Sequence, residues 1–152
     1  DIFWDPFTSS GGSDIFLSKI GSDGIVNWTL KWWWISDDSI TDITLDQSGY
    51  LLVSGSFSGM NVGIFGGTVS SSGGTDSFVA KVDIEGNTIW VKRGGGISDD
   101  TIEALLPGTS SFYISGYFSL SWSSLYDQAF TSAWWKDGFL MRLDDNGEFC
   151  TL

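Results

Sequence analysis

The sequence predicts an all-β repeat protein, and three observations predict it. A block of residues returns at a fixed offset: Ser9-Ser10-Gly11-Gly12-Ser13-Asp14 reappears 62 residues later as Ser71-Ser72-Gly73-Gly74-Thr75-Asp76. The composition is that of strands and turns, with 20 glycines and 16% aromatic residues, while Lys, Glu and Ala are sparse. No stretch of about ten residues keeps a helical period.

The register runs through the whole unit. Phe16 matches Phe78, Lys19 matches Lys81, Gly24 matches Gly86, Trp28 matches Trp90, and Ile35-Ser36-Asp37-Asp38 matches Ile97-Ser98-Asp99-Asp100. One residue is then lost in a turn, and at an offset of 61 Ser54-Gly55 matches Ser115-Gly116 and Phe57-Ser58 matches Phe118-Ser119. A third copy opens at Asp137-Gly138-Phe139, with Arg142 in the Lys place and Gly147 in the turn. Five of the seven cations fall on equivalent positions: Lys19, Lys81 and Arg142, and Lys31 and Arg93. The chain is therefore read as one β-repeat domain over 1–152, with units at about 9–70, 71–131 and an incomplete 132–152.

Each unit contains four expected strands. The first covers Asp14–Ile20, Ser77–Val82 and Gly138–Leu143. Alternation puts Phe16, Ser18 and Ile20 on one face and Leu17 and Lys19 on the other, so both faces carry apolar residues. Asp23-Gly24, Glu85-Gly86 and Asn146-Gly147 supply hairpin turns. The second strand holds Trp28 or Trp90. The third covers Ile40–Leu45 or Ile102–Leu106, where Pro107 ends it, and the fourth Leu51–Phe57 or Phe112–Phe118. A Gly/Ser-rich connector leads on.

Four-stranded blades packed radially account for two apolar faces per sheet, because neighbouring blades cover both. The expected architecture is thus a β-propeller type, with about two and a half units of 61–62 residues. A β-solenoid usually repeats over fewer residues, and a sandwich of unequal strands leaves the register unexplained. Propellers close with about four to eight blades. The chain is therefore expected to be a partial propeller, completed by further chain or by other copies of itself.

The pattern Gly-Gly-x-Asp-x-Phe-x-x-Lys, then Gly, Trp, Ser-Asp-Asp and Ser-Gly-x-Phe resembles the bacterial SBBP repeats, a family related to seven-bladed β-propellers. The resemblance runs from Ser9 to the end of the chain. It implies a large secreted or cell-surface bacterial protein, and it implies no catalytic residues.

Charge and residue usage narrow the function. Seven Lys and Arg stand against 19 Asp and Glu, a net charge of −12. That field repels phosphate backbones and anionic lipid, so nucleic acid is a poor partner. Histidine is absent, which removes Ser-His-Asp and Cys-His catalysis and imidazole metal sites. Cys150 is the one cysteine, so no intrachain disulfide forms and no tight transition-metal site is expected. No apolar run reaches membrane-spanning length. The opening Asp1-Ile2-Phe3 lacks a basic segment and an apolar one, so the chain reads as a processed product or an excerpt.

The acids and aromatics carry the candidate sites. Asp37-Asp38 and Asp99-Asp100 form a repeated pair that could take weak calcium through oxygen ligands. No Asp-x-Asp-x-Asp-Gly pattern surrounds either pair, and turns whose Asp side chains accept backbone N–H groups account for them better. Asp144-Asp145-Asn146-Gly147-Glu148 aligns with the hairpin turns and reads as turn chemistry. Asp14 with Lys19, and the copies of that pair, reads as a structural ion pair or hydrogen bond. Gly94-Gly95-Gly96 lacks the strand–loop–helix context of a phosphate loop.

Six of the nine tryptophans stand where another copy has glycine. Trp32-Trp33-Trp34 aligns with Gly94-Gly95-Gly96, Trp134-Trp135 with Gly73-Gly74, and Trp4 with Gly66. Three readings compete: UGA codons meaning glycine but translated as tryptophan, an aromatic platform for a ligand or interface (Trp32, Trp33, Trp34, Trp134 and Trp135), and engineering. Recoding stands first, because the exchange runs one way and only at glycine positions.

The expected function is a secreted or cell-surface module, structural, adhesive or ligand-binding, able to self-assemble, with no cofactor. Its expected partners are copies of itself or the rest of a longer propeller, and a carbohydrate or surface protein. The alternative is a carbohydrate-active propeller hydrolysing glycosides through loop carboxylates. An enzyme should carry acids in one loop that the others lack, and neither complete copy does.

Overall fold

A computed structural model of the chain describes residues 12–32, 35–60, 62–119, 123–125, 128–133 and 135–151. The described residues form thirteen strands and no helix. They are β1 (Ile15–Ile20), β2 (Val26–Trp32), β3 (Ser39–Leu45), β4 (Leu51–Phe57), β5 (Val62–Ile64), β6 (Gly67–Val69), β7 (Asp76–Val82), β8 (Thr88–Gly95), β9 (Thr101–Pro107), β10 (Ser111–Phe118), β11 (Ser123–Leu125), β12 (Gln128–Phe130) and β13 (Asp137–Asp144). The chain is all-β, and its strand pairs are antiparallel.

Local chemistry makes the hairpins. Asp46 accepts the N–H groups of Ser48 and Tyr50, Asp83 those of Glu85 and Asn87, and Asp144 those of Asn146 and Glu148. The glycine three residues after each of these aspartates takes the positive φ that closes the turn: Gly49 at 86°, Gly86 at 90° and Gly147 at 75°. In the Ser-Gly-x-Phe motif the glycine is needed for close approach instead. A Cβ at Gly55 would lie 2.1 Å from the Ser39 carbonyl oxygen, and one at Gly116 would lie 1.9 Å from that of Thr101. Both glycines sit beside a register shift in their strand pair.

The sheets cut across the sequence unit. The four strands of one unit were expected in one sheet, but each unit divides after its second strand. The middle sheet runs β3-β4-β7-β8, joining the last two strands of one unit to the first two of the next, and β11-β12 extends it. Before it stands β1-β2, and after it β9-β10-β13. The pairing Ile15↔Trp32 in the first sheet corresponds to Ser77↔Gly94 in the middle one, so the register itself repeats.

The two connectors differ. Both hold a short hairpin the sequence reading left as loop, β5-β6 in the first and β11-β12 in the second. In the second, Ser124 and Leu125 pair with Gly95 and Gly94 of β8. In the first, β5-β6 forms a sheet of its own.

Two apolar layers hold the sheets together. Ile15 and Trp32 meet Val53, Phe57, Phe78, Ala80 and Val82 of the middle sheet and Val62, Ile64 and Phe65 of the first connector hairpin. On the far side, Leu52 and Val79 meet Ile102, Leu105, Phe112, Ile114, Met141 and Leu143.

Candidate functional site

The repeated Ser-Asp-Asp segment is a tie between strands. Asp37 accepts the Ser13 N–H at 2.8 Å, and its counterpart Asp99 accepts the Thr75 N–H at 2.9 Å. The next residue closes the link through the main chain: Asp38 N–H donates to the Ser13 carbonyl and Asp100 N–H to that of Thr75. Asp100 is fully buried, and its two oxygens accept the Gly96 N–H at 2.7 Å and the Ser119 N–H at 3.1 Å. One carboxylate thereby fixes the end of β8 and the start of the connector after β10. Buried N–H groups are costly to leave unmade, which gives the acidic pair a structural reason to recur.

Asp38 holds the same place in the first copy, and only 3% of it is exposed. Burial pushes its carboxyl up to about 7; the Ser58 N–H offsets part of that rise, and Asp14 and Asp37 add to it. No hydrogen bond of full geometry reaches its oxygens among the described residues. Its counterpart to Gly96 is Trp34, which lies outside the described residues.

A second cluster surrounds Asp76, which is also fully buried. Burial lifts its carboxyl to about 6, against the Ser72 N–H and the Arg93 guanidinium, which pull it down. Arg93 donates to the Ser70 carbonyl, Ser72 Oγ, Asp76 Oδ2 and the Gly95 carbonyl, clamping the connector onto β8. The expected pairing of the strand-opening aspartate with the strand's lysine is therefore corrected for this copy. Lys81 turns instead to Asp46, at 2.8 Å and with both side chains 8% exposed, and lies 4.8 Å over the Tyr50 ring. Burial alone would raise Asp46, but Lys81 and the N–H groups of Tyr50 and Ser48 hold it below the usual carboxylate range.

The matched tryptophans stitch successive units. Trp28 Nε1 donates to the Ile84 carbonyl at 2.9 Å, and Trp90 Nε1 to that of Asp145 at 3.0 Å. Lys19 Nζ joins Trp28 on the Ile84 carbonyl. Trp90 also stacks on Phe112, with centroids 6.0 Å apart.

The candidate platform does not assemble around Trp32. Trp32 is 1% exposed and packs in the core against Phe65 and Phe78, at centroid distances of 6.0 and 5.5 Å. It offers a ligand no face, and its Nε1 finds no hydrogen-bond partner among the described residues. Trp135 is 82% exposed. Trp33, Trp34 and Trp134 lie outside the described residues.

Among the described residues, no three His, Cys, Asp or Glu side chains gather to hold a metal. Of the candidate calcium acids, Asp37 and Asp99 each engage one oxygen with a backbone N–H group and Asp100 engages both. The Arg93 clamp and the Lys81–Asp46–Tyr50 cluster escaped the sequence reading. Their signal was the recurrence of cations at matched positions. No protein-family model and no curated protein matches the chain.

Proposed function

We propose that the chain is a stretch of β-propeller-type blades from a secreted or cell-surface module of the SBBP kind, working as a structural, adhesive or ligand-binding scaffold rather than as an enzyme. Its leading partner is more of its own repeat. One observation carries this reading. Phe78 and Val82 in the middle sheet are fully buried beneath the first sheet, while their counterparts Phe16 and Ile20 are 45% and 47% exposed. The opposite face behaves the same way. Leu52 and Val79 are covered by the third sheet, whereas their counterparts Tyr113 and Leu140 lie on its open side, with Leu140 71% exposed. A face that one repeat covers in the middle is suited to another repeat at either end.

The recurring acids support a scaffold over a hydrolase, because Asp37, Asp76, Asp99 and Asp100 are engaged with backbone N–H groups or a cation rather than gathered in one cleft. Sedimentation of the 152-residue chain at micromolar concentration tests the assembly. Association that Leu140→Glu abolishes is the expected result. A cooperatively melting monomer overturns it. A glycan array run beside chromogenic glycosides tests the chemistry, and turnover lost on a single Asp→Asn change would replace the scaffold reading with the hydrolytic one.

A further inference from the structure

We propose that the protein made in its native host carries glycine, encoded by UGA, at positions 4, 32, 33, 34, 134 and 135, where the translated sequence has tryptophan. The repeat supplies the reference geometry at four of these positions, 4, 33, 134 and 135. Gly66, the counterpart of Trp4, has φ of 88°, a conformation that disfavours any side chain. A Cβ at Gly95, the counterpart of Trp33, would lie 2.2 Å from Asp76 Oδ1. At Gly73, matched to Trp134, it would lie 2.3 Å from the Ile97 carbonyl oxygen. At Gly74, matched to Trp135, it would lie 2.5 Å from Asp99 Oδ1; the same place in the first copy, Gly12, leaves 1.9 Å to Asp37. Backbone and a tied aspartate cannot retreat the way the end of a long side chain can. The strand-opening aspartate and the Ser-Asp-Asp tie thus need glycine beside them.

The structure also shows what tryptophan does where it is described. Trp32 fills the space between β2 and the β5-β6 hairpin, its ring against Phe65 at the hairpin's turn. Among the described residues the hairpin forms no strand pairing with β2. Where the second copy has Gly94 and Gly95, the matching hairpin reaches the sheet and pairs with both residues. Among the described residues the buried indole N–H of Trp32 finds no partner, in contrast to Trp28 and Trp90, whose N–H groups both find carbonyls. Eight of the nine tryptophans thus fall into two kinds: two that fit the repeat and six that stand where it has glycine.

The test is peptide mass spectrometry of the protein purified from its native host, read beside the gene's codons. Peptides covering 32–34 and 134–135 are expected to be lighter by one indolylmethyl side chain per position. The codons there are expected to be UGA, with UGG at 28 and 90, where the same spectra should show tryptophan. Tryptophan at 32, 33 or 34 in the native protein, or UGG codons there, overturns the proposal.

Discussion

β1 and β7 hold the same place in the repeat, with Phe and Lys at matched positions, yet their surroundings differ. β7 is buried along all seven residues, whereas in β1 only Ile15 is buried. β7 has β4 on one edge and β8 on the other, and an apolar layer on each face. Among the described residues β1 pairs with β2 alone. Burial in this chain is thus a property of the neighbours a strand receives. The same side chain can be a surface residue in one copy and hold the core together in the next.

Lys81 and Lys19 give the sharpest form of that contrast. Lys81→Ala leaves the buried Asp46 carboxylate without its cation, and breaking a buried pair from one side costs about 3–5 kcal/mol. Lys19 is exposed and bonds a carbonyl that Trp28 also serves, so Lys19→Ala should cost no more than about 0.5 kcal/mol. Urea denaturation of both variants measures the gap. Equal losses would show that copy, and not environment, sets the value of the position.

The two tie aspartates come next. Asp100→Ala strands the Gly96 and Ser119 N–H groups in the interior, at a cost of about 2–4 kcal/mol. Asp38→Ala removes a carboxyl that makes no full hydrogen bond among the described residues, and at about pH 4, where that carboxyl is protonated in the fold, its effect should stay within about 1 kcal/mol. Asp100→Asn keeps one acceptor oxygen and should recover part of the loss. If Asp38→Ala proves as damaging as Asp100→Ala, the first copy's tie is as complete as the second's.

These contrasts mark how far the sequence could be read. Strand positions followed from alternation and from Pro107, and β4 was located to the residue. The Ser-Asp-Asp pairs read as turns whose side chains bond nearby N–H groups, whereas Asp37 and Asp99 reach N–H groups 24 residues away. The phase of the sheets was not legible, because β4 carries no local mark that its partner is β7 and lies beyond a connector. The connector hairpins were missed because three residues are too few to show alternation. Lys81 was assigned to Asp76 by nearness in sequence. In the fold Arg93 reaches Asp76 from the adjacent strand, and Lys81 meets Asp46 of the preceding unit.

The last comparison is a dependence on pH, to which one buried carboxyl of each copy contributes with the same sign. Asp38 and Asp76 have carboxyls raised to about 7 and about 6, against 3.8 for an ordinary aspartate. Between 3.8 and the raised value the folded chain holds a proton that the unfolded chain has released. Folding stability must therefore fall as pH rises through that window, by at most about 1.4 kcal/mol per pH unit for each group. Acidifying from about pH 8 to about pH 4 should accordingly stabilise the protein. Below that the trend reverses, because Asp46 and Asp83 are held low by their hydrogen bonds, and Asp46 also by Lys81; their contribution is lost as they protonate. Asp38→Asn should flatten the upper part of the curve, between about 6 and 7, and Asp76→Asn should leave that part standing while reducing the slope beneath it. Melting temperatures across the range read the slope directly. A protein that gains stability steadily from pH 4 to pH 8 would mean that both carboxylates are ionised in the fold, with donors enough to hold them so.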